Sequence, residues 1–180
     1  MKWEEKLTVT ASVPPEASTA HANGLRIKSL YTAIQNADLP AIAACYDEHA
    51  YFEDIAFRCR DKEEIMEMWR YVCHGEPEVV EADVISADDR TGSGHWRVKY
   101  RFGKRPGLPV DNKIHSTFVF SNGLIIEHRD KCHSMAWARQ AFSSPIAAFL
   151  VGSVAPLRRC LAAWKLYSFT KKASCNWEDV

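Results

Sequence analysis

A chain of 180 residues with 47% hydrophobic content is long enough to bury one core with length to spare. Its 23 Lys and Arg balance its 23 Asp and Glu, which argues against a protein held to nucleic acid by charge. The six cysteines, at 45, 59, 73, 132, 160 and 175, are scattered without a C-x-x-C pair or zinc spacing. The opening residues carry acids and no apolar h-region, so reduced thiols in a cytoplasmic protein are expected. The nearest candidate for a membrane span, Pro145–Pro156, has 12 residues with Gly152 among them. That is short of the roughly 20 a spanning helix needs, so no stable membrane insertion is expected.

Residues 1–22, with Pro14, Pro15 and several Ser and Thr, read as a flexible lead-in. From Gly24 to Ala37, Ile27, Leu30, Tyr31 and Ile34 recur at the spacing of one helix face. Asp38 is a candidate N-cap for a short second helix with Pro40 in its first turn, burying Ile42, Cys45 and Tyr46. A strand, AYFEDIAF (50–57), follows. Asp61-Lys-Glu-Glu64 then has the look of a capping box before a third helix with Ile65, Met68, Trp69 and Val72 on one face.

Four strands come next, expected at Glu78–Asp88, Gly94–Lys104, Lys113–Ser121 and Leu124–His133. Turn signals separate them at 88–92, 106–109 and 121–123. Helical character returns after Ser134 and runs to about Thr170, broken near Pro145 and Pro156. Helices followed by a run of strands indicate an α+β fold, with three N-terminal helices packed on a curved antiparallel sheet. The chain divides into the lead-in, one domain over 23–142 and a helical extension over 143–180. The extension holds a basic amphipathic helix, LRRCLAAWKLYSFTKK. Packing against its own domain or a dimer partner is its expected role, with peripheral contact to an anionic membrane the alternative.

Alternation separates the faces. Trp96, Val98, Tyr100 and Phe102 share one side of a strand, with Arg97, Lys99 and Arg101 on the other. Burying three cations together would be far too costly, so the aromatic side is the inner one. On the last strand His128, Asp130 and Cys132 share a face opposite Glu127, Arg129, Lys131 and His133. The face with fewer charges is the expected cavity wall, and an acid beside a histidine there is a candidate acid/base pair. In AYFEDIAF, Asp54 goes with Phe52, and Glu53 with Tyr51 and Ile55. Alternation alone does not say which acid faces inward.

Three stretches, LYTAIQNADLPAIAACYDEHAYFED (30–54), DKEEIMEMW (61–69) and STFVFSNGLIIEHRD (116–130), carry a resemblance to the NTF2-like superfamily over roughly residues 24–142. That superfamily includes ketosteroid isomerases, limonene-epoxide hydrolases and SnoaL-like polyketide cyclases. The resemblance implies a cone-shaped α+β fold whose sheet wraps an apolar cavity closed by helices. It places Tyr31 at the isomerases' oxyanion-donating tyrosine and Asp54 at their general base. A third donor position is held by Ser116. The general pattern of an aspartate base with a tyrosine donor is the one known from ketosteroid isomerase. The cyclase and hydrolase comparisons point instead to Asp130. The hydrolases' Arg-x-Asp pair reads Arg97-Val-Lys99 here, so their water-activating triad is incomplete.

What the resemblance implies, then, is an isomerase or cyclase that abstracts a proton next to a carbonyl of a polyketide-, steroid- or terpenoid-like compound. Asp54, Tyr31, Asp130 and His128 would carry the chemistry. Trp69, Trp96, Tyr100, Ser116, Phe118 and Phe52 would line the site. No metal or organic cofactor is required, no nucleic-acid partner is expected, and a homodimer is. The alternatives are a non-catalytic ligand-binding or dimerisation module and a cofactor-free hydrolase or dehydratase using Asp130.

Overall fold

The computed structural model describes residues 21–103 and 106–175, so most of the lead-in, residues 1–20, lies outside the described residues. Helices α1 (Ala22–Gln35), α2 (Leu39–Ala43) and α3 (Lys62–His74) are interleaved with strands β1 (Tyr46–Glu53) and β2 (Arg58–Cys59). Strands β3 (Glu78–Ala87), β4 (Thr91–Phe102), β5 (Leu108–Ser121) and β6 (Leu124–Lys131) follow, and then helices α4 (Ser134–Ala141), α5 (Pro145–Ser153) and α6 (Ala155–Cys175). All six strands form one sheet in the order β2-β1-β6-β5-β4-β3. Its pairings are antiparallel except β1 with β6, which run parallel.

Local chemistry sets these elements. The Asp38 side chain accepts from the Ala41 amide at 3.0 Å and starts α2. Asp61 accepts from the Glu64 amide at 2.9 Å while Glu64 reaches back to the Arg60 amide at 2.8 Å, so α3 begins on reciprocal caps. Between β5 and β6, Asn122 and Gly123 both have positive φ (51° and 73°), the hairpin conformation these two residue types tolerate best. Tyr46, expected at the end of α2, instead opens β1.

Strand β4 starts three residues earlier than expected. Gly92 and Gly94 belong to the strand, and the turn is confined to Asp88–Arg90, where the Asp88 carboxylate accepts from the Arg90 and Thr91 amides. The glycines are required by α1 above them. A Cβ on Gly92 would lie 2.7 Å from Ile27 Cδ1, and one on Gly94 would lie 2.6 Å from the Tyr31 hydroxyl. Two residues one turn apart on the helix thus rest in two gaps two residues apart on the strand. Strand β5 also begins earlier, at Leu108, so the expected turn at 106–109 is shorter.

The main core lies between α1–α3 and the concave face of the sheet, with Ile27, Leu30, Ile34, Ile65, Met68 and Ile125 fully buried. A second apolar cluster, built on Val110, Trp137, Ala138, Ala141, Ala148 and Val151, joins α4 and α5 to the end of the cone. Tyr100 belongs to both clusters, and its hydroxyl receives the Trp137 indole N–H at 2.7 Å. The extension therefore packs on the open end of the domain.

Candidate active site

The register of the sheet lays two rows of side chains across the inside of the cone. One row runs Phe52 on β1, His128 on β6, Phe118 on β5 and Gly92 on β4. The next runs Asp130 on β6, Ser116 on β5 and Gly94 on β4. Ser116, His128 and Asp130 are all buried.

These groups form one hydrogen-bond chain. Asp130 Oδ1 receives the Ser116 hydroxyl and lies 2.9 Å from His128 Nε2. His128 Nδ1 lies 2.7 Å from the Tyr46 hydroxyl, which in turn receives the Trp69 indole N–H at 3.3 Å. An indole can only donate, so the Tyr46 oxygen accepts from Trp69 and gives its proton to His128 Nδ1. His128 must then carry its proton on Nε2 and donate it to Asp130. Every group in the chain is satisfied only with this polarity. Both bonds to Asp130 end on Oδ1, which leaves Oδ2 as its available acceptor.

Tyr31 stands beside this chain. Its hydroxyl is buried without a hydrogen-bond partner among the described residues, as is the Trp96 indole N–H. Ser116, a polar neighbour of the phenol, commits its proton to Asp130. Burial raises the Tyr31 pKa well above the ordinary tyrosine value, with the Asp130 charge acting the same way. The phenol is thus a neutral donor at physiological pH. The Tyr31 ring meets Trp96 at 6.1 Å and Phe118 at 6.4 Å between centroids, and Trp96 meets Trp69 at 6.4 Å. Phe52 packs edge-on against Trp69 and His128.

Asp54 sits one residue past the end of β1, in a turn rather than in the expected strand. Its Oδ1 accepts from the Ala56 amide at 2.6 Å and from the Phe57 amide. Desolvation raises its pKa to about 6 against the pull of those two amides, and the Asp130 charge pushes the same way. Among the groups that feel the Asp54 charge, Tyr100, Cys132 and Arg158 lie toward the extension, and Cys59 lies in the main core. The sequence-derived residues thus fall into two sets. Tyr31, Ser116, His128 and Asp130 are together in the interior, while Asp54 lies with Tyr100 nearer the extension. Glu53 points away from the cone, bonded to Arg58, Arg129, Arg159 and Tyr51. Arg97 also faces outward, in a two-pronged bond to Asp111 at 2.8 and 2.7 Å.

Two members of the site were not foreseen. Tyr46 fixes His128, and the inward alternation of Phe52 and Ala50, carried back along β1, was the signal for it. Arg158 is buried beneath the extension and donates to the Ile55 carbonyl at 2.6 Å and to the Val151 and Gly152 carbonyls at 2.9 and 3.1 Å. It clamps the α5–α6 junction onto the turn that holds Asp54. Nothing in its local sequence distinguishes it from Arg159.

Similar architectures occur among solved structures. The epoxide hydrolase of the limonene-epoxide hydrolase type from M. tuberculosis is 18% identical, with a TM-score of 0.56 over 74% of this chain and 98% of its own. A candidate polyketide cyclase from Silicibacter sp. TM1040 is 15% identical, with a TM-score of 0.61 over 68% of this chain and 96% of its own. A candidate ketosteroid isomerase from Kribbella flavida is 10% identical, with a TM-score of 0.53 over 64% and 81%. At these identities the likeness concerns the fold, which is the NTF2-like cone. Among proteins of curated function no sequence match is found. Residues 27–128 match the SnoaL-like domain, and the chain belongs to that family.

Proposed function

We propose that the protein is an isomerase or cyclase in which Asp130 removes a proton next to a substrate carbonyl and the Tyr31 hydroxyl donates to the oxygen that gains charge. The reading rests above all on the Tyr31 phenol, a buried donor that meets no hydrogen-bond geometry among the described residues and has Ser116 and the Asp130 carboxylate as its polar neighbours. A neutral donor aimed at a developing enolate oxygen stabilises the transition state more than the ground state. The proton would pass from the α-carbon to Asp130 Oδ2, leaving the electron pair delocalised onto the carbonyl oxygen. Ser116 and His128 would hold the carboxylate in place through Oδ1. The same proton returned to another carbon completes an isomerisation, whereas attack of the enolate carbon on a second carbonyl within the substrate, whose oxygen takes the proton back from Asp130, completes a cyclisation. The aromatic walls of Trp69, Trp96 and Phe118 suit a ring-forming, apolar substrate. Asp54, with its raised pKa at the open end, is the second acid/base group. The outward-facing Arg97 counts against epoxide hydrolysis of the Asp-Arg-Asp type.

A non-catalytic binding module is the second reading, favoured by the mutual contact of the Tyr31, Trp69, Trp96 and Phe118 rings in the interior. One experiment separates the two. Exchange of α-protons and turnover would be followed for 5-ene-3-ketosteroids and related enones with wild type, Asp130→Asn and Tyr31→Phe. The proposal expects Asp130→Asn to lose about 100-fold or more in rate and Tyr31→Phe about 10- to 1,000-fold. Enone binding without any α-exchange by wild type would leave the module. Exchange undiminished in Asp130→Asn would remove Asp130 as the base.

A further inference from the structure

Helix α5 is built with its polarity reversed for a protein in water. Its inner face carries small residues: Ala148 and Gly152 pack on α4, and a Cβ on Gly152 would come within 3.0 Å of Met135 Sδ and 3.1 Å of Ala138 Cβ. Apart from Val151, which is buried with them, its large side chains point the other way, with Ile146 74% and Phe149 63% exposed and Leu150 beside them. A helix that merely covers a core does the opposite. The apolar surface continues through Val154 at the junction and Leu157 at the start of α6. About two and three turns further along the same helix, Trp164 and Tyr167 are also exposed. Scattered surface apolar residues need no explanation, but a run of this kind does.

The charge around it is one-sided. In sequence, residues 131–177 hold seven of the chain's 23 Lys and Arg and none of its 23 Asp and Glu, and two of the seven, Arg158 and Arg159, are committed to the Ile55 carbonyl and to Glu53. A second copy docking through this face by a two-fold axis would bring the two acid-free segments together. An anionic surface meets the opposite situation. Large apolar side chains flanked by Trp, Tyr and cations, with no acids, match the headgroup and upper acyl region of a bilayer with negatively charged lipids.

The geometry also sets the depth of contact. Among the described residues no single helix is long and apolar enough to cross a membrane; α5 and α6 reach that length only together, and they are bent by 100° at their junction. Helix α5, at nine residues, spans roughly 14 Å, under half of a ~30 Å hydrocarbon core. Helix α6 is held to the domain by the buried Arg158 and by Arg159, which bonds Glu53 at 2.6 Å. The elbow can dip into an interface while the cone stays in water.

We propose that the outer face of α5 and the first half of α6 is a docking surface for anionic membranes, seating the protein at a lipid–water boundary. The full chain would be floated with vesicles of phosphatidylcholine alone and of phosphatidylcholine mixed with phosphatidylserine, at low and high salt. Wild type is expected to float with the mixed vesicles, about 10-fold or more better than with the neutral ones, and to be released by salt. The double substitution Phe149→Asp with Leu150→Asp is expected to lose at least about 10-fold of that binding. Both side chains are exposed, and the melting transition would verify the fold. As a second variant, Trp164→Phe is expected to remove part of the blue shift in tryptophan emission that accompanies vesicle binding. Wild type left unbound at low salt would overturn the proposal, as would equal flotation of the double variant. Self-association without lipid that the double substitution abolishes would assign the face to a second copy instead.

Discussion

The Tyr46 hydroxyl, 2.7 Å from His128 Nδ1, decides which nitrogen of the histidine faces Asp130 with a proton. Residues 82 apart in sequence are brought together by the parallel pairing of β1 and β6, and the donor-only indole of Trp69 sets the direction. Tyr46→Phe removes both bonds and leaves Nδ1 and the Trp69 N–H without partners in a dry interior. A loss of about 1–3 kcal/mol is expected, read by urea unfolding. Nitrogen-15 spectra of the histidines should also show the Nε2–H tautomer of His128 in wild type and a mixture in the variant. An unchanged tautomer would mean that Asp130 alone orients the ring.

Tyr31 should trade stability against activity. Its buried hydroxyl has no partner among the described residues, so Tyr31→Phe relieves a desolvation penalty and is expected to raise stability by about 1 kcal/mol. The same change should lower turnover as given above. A variant that is both less stable and equally active would count against the assigned role.

Gly94→Ala should be severe. The new methyl would stand 2.6 Å from the Tyr31 hydroxyl and 2.7 Å from the Asp83 carbonyl oxygen. A loss of about 2–3 kcal/mol is expected in denaturant unfolding. Combining it with Tyr31→Phe should recover only part of that, because the Asp83 carbonyl belongs to the neighbouring strand β3 and cannot move aside alone.

Asp54 makes stability depend on pH. Its folded pKa, about 6, is above the ordinary value of 3.8, so the folded state holds the proton more tightly. Its contribution is fully present below pH 3.8 and is lost as pH rises through 6. Asn keeps the oxygen that accepts from Ala56 and Phe57 and removes the charge. Asp54→Asn should therefore stabilise the protein by about 1–3 kcal/mol at pH 8 and by much less below pH 4, as read by melting at both. Equal effects at the two pH values would place Asp54 in water.

Glu53 behaves oppositely. The Arg58 and Arg159 side chains hold its pKa down to about 2, from 4.5. Its stabilisation is present above pH 4.5 and disappears as pH falls toward 2. Glu53→Gln should release the start of α6, since Arg159 loses its 2.6 Å partner. Faster amide exchange in α6 near neutral pH is the expected signature, with the difference between variant and wild type vanishing in acid. The loss should be modest, about 1 kcal/mol, because the arginines are partly exposed.

Strand alternation made the inner faces legible. Trp96 and Val98 face in and Arg97 faces out as their spacing indicates, because burying a cation is costly unless its donors are satisfied and Arg97 finds Asp111 on the outer face. Caps at Asp38 and Asp61 were equally readable, being local chemistry over four residues. The glycines of β4 misled, since Gly92 and Gly94 look like turn residues in sequence. Their role is to admit Ile27 and Tyr31 from a helix some 60 residues away. The resemblance pointed to Tyr31 and both aspartates and tied Tyr31 to Asp54, whereas in the fold Tyr31 stands beside Ser116 and Asp130.

The sequence by itself determined the α+β order of elements and the residue types of the interior, which follow from period, capping and local pattern, and it carried the family through three stretches that resemble it. Which polar groups touch was decided only by the tertiary structure. Cross-strand register puts Ser116 opposite Asp130, and the parallel β1–β6 pair puts Phe52 beside His128. Register depends on how the whole sheet packs under α1, α3 and the extension, and no window of sequence contains that information.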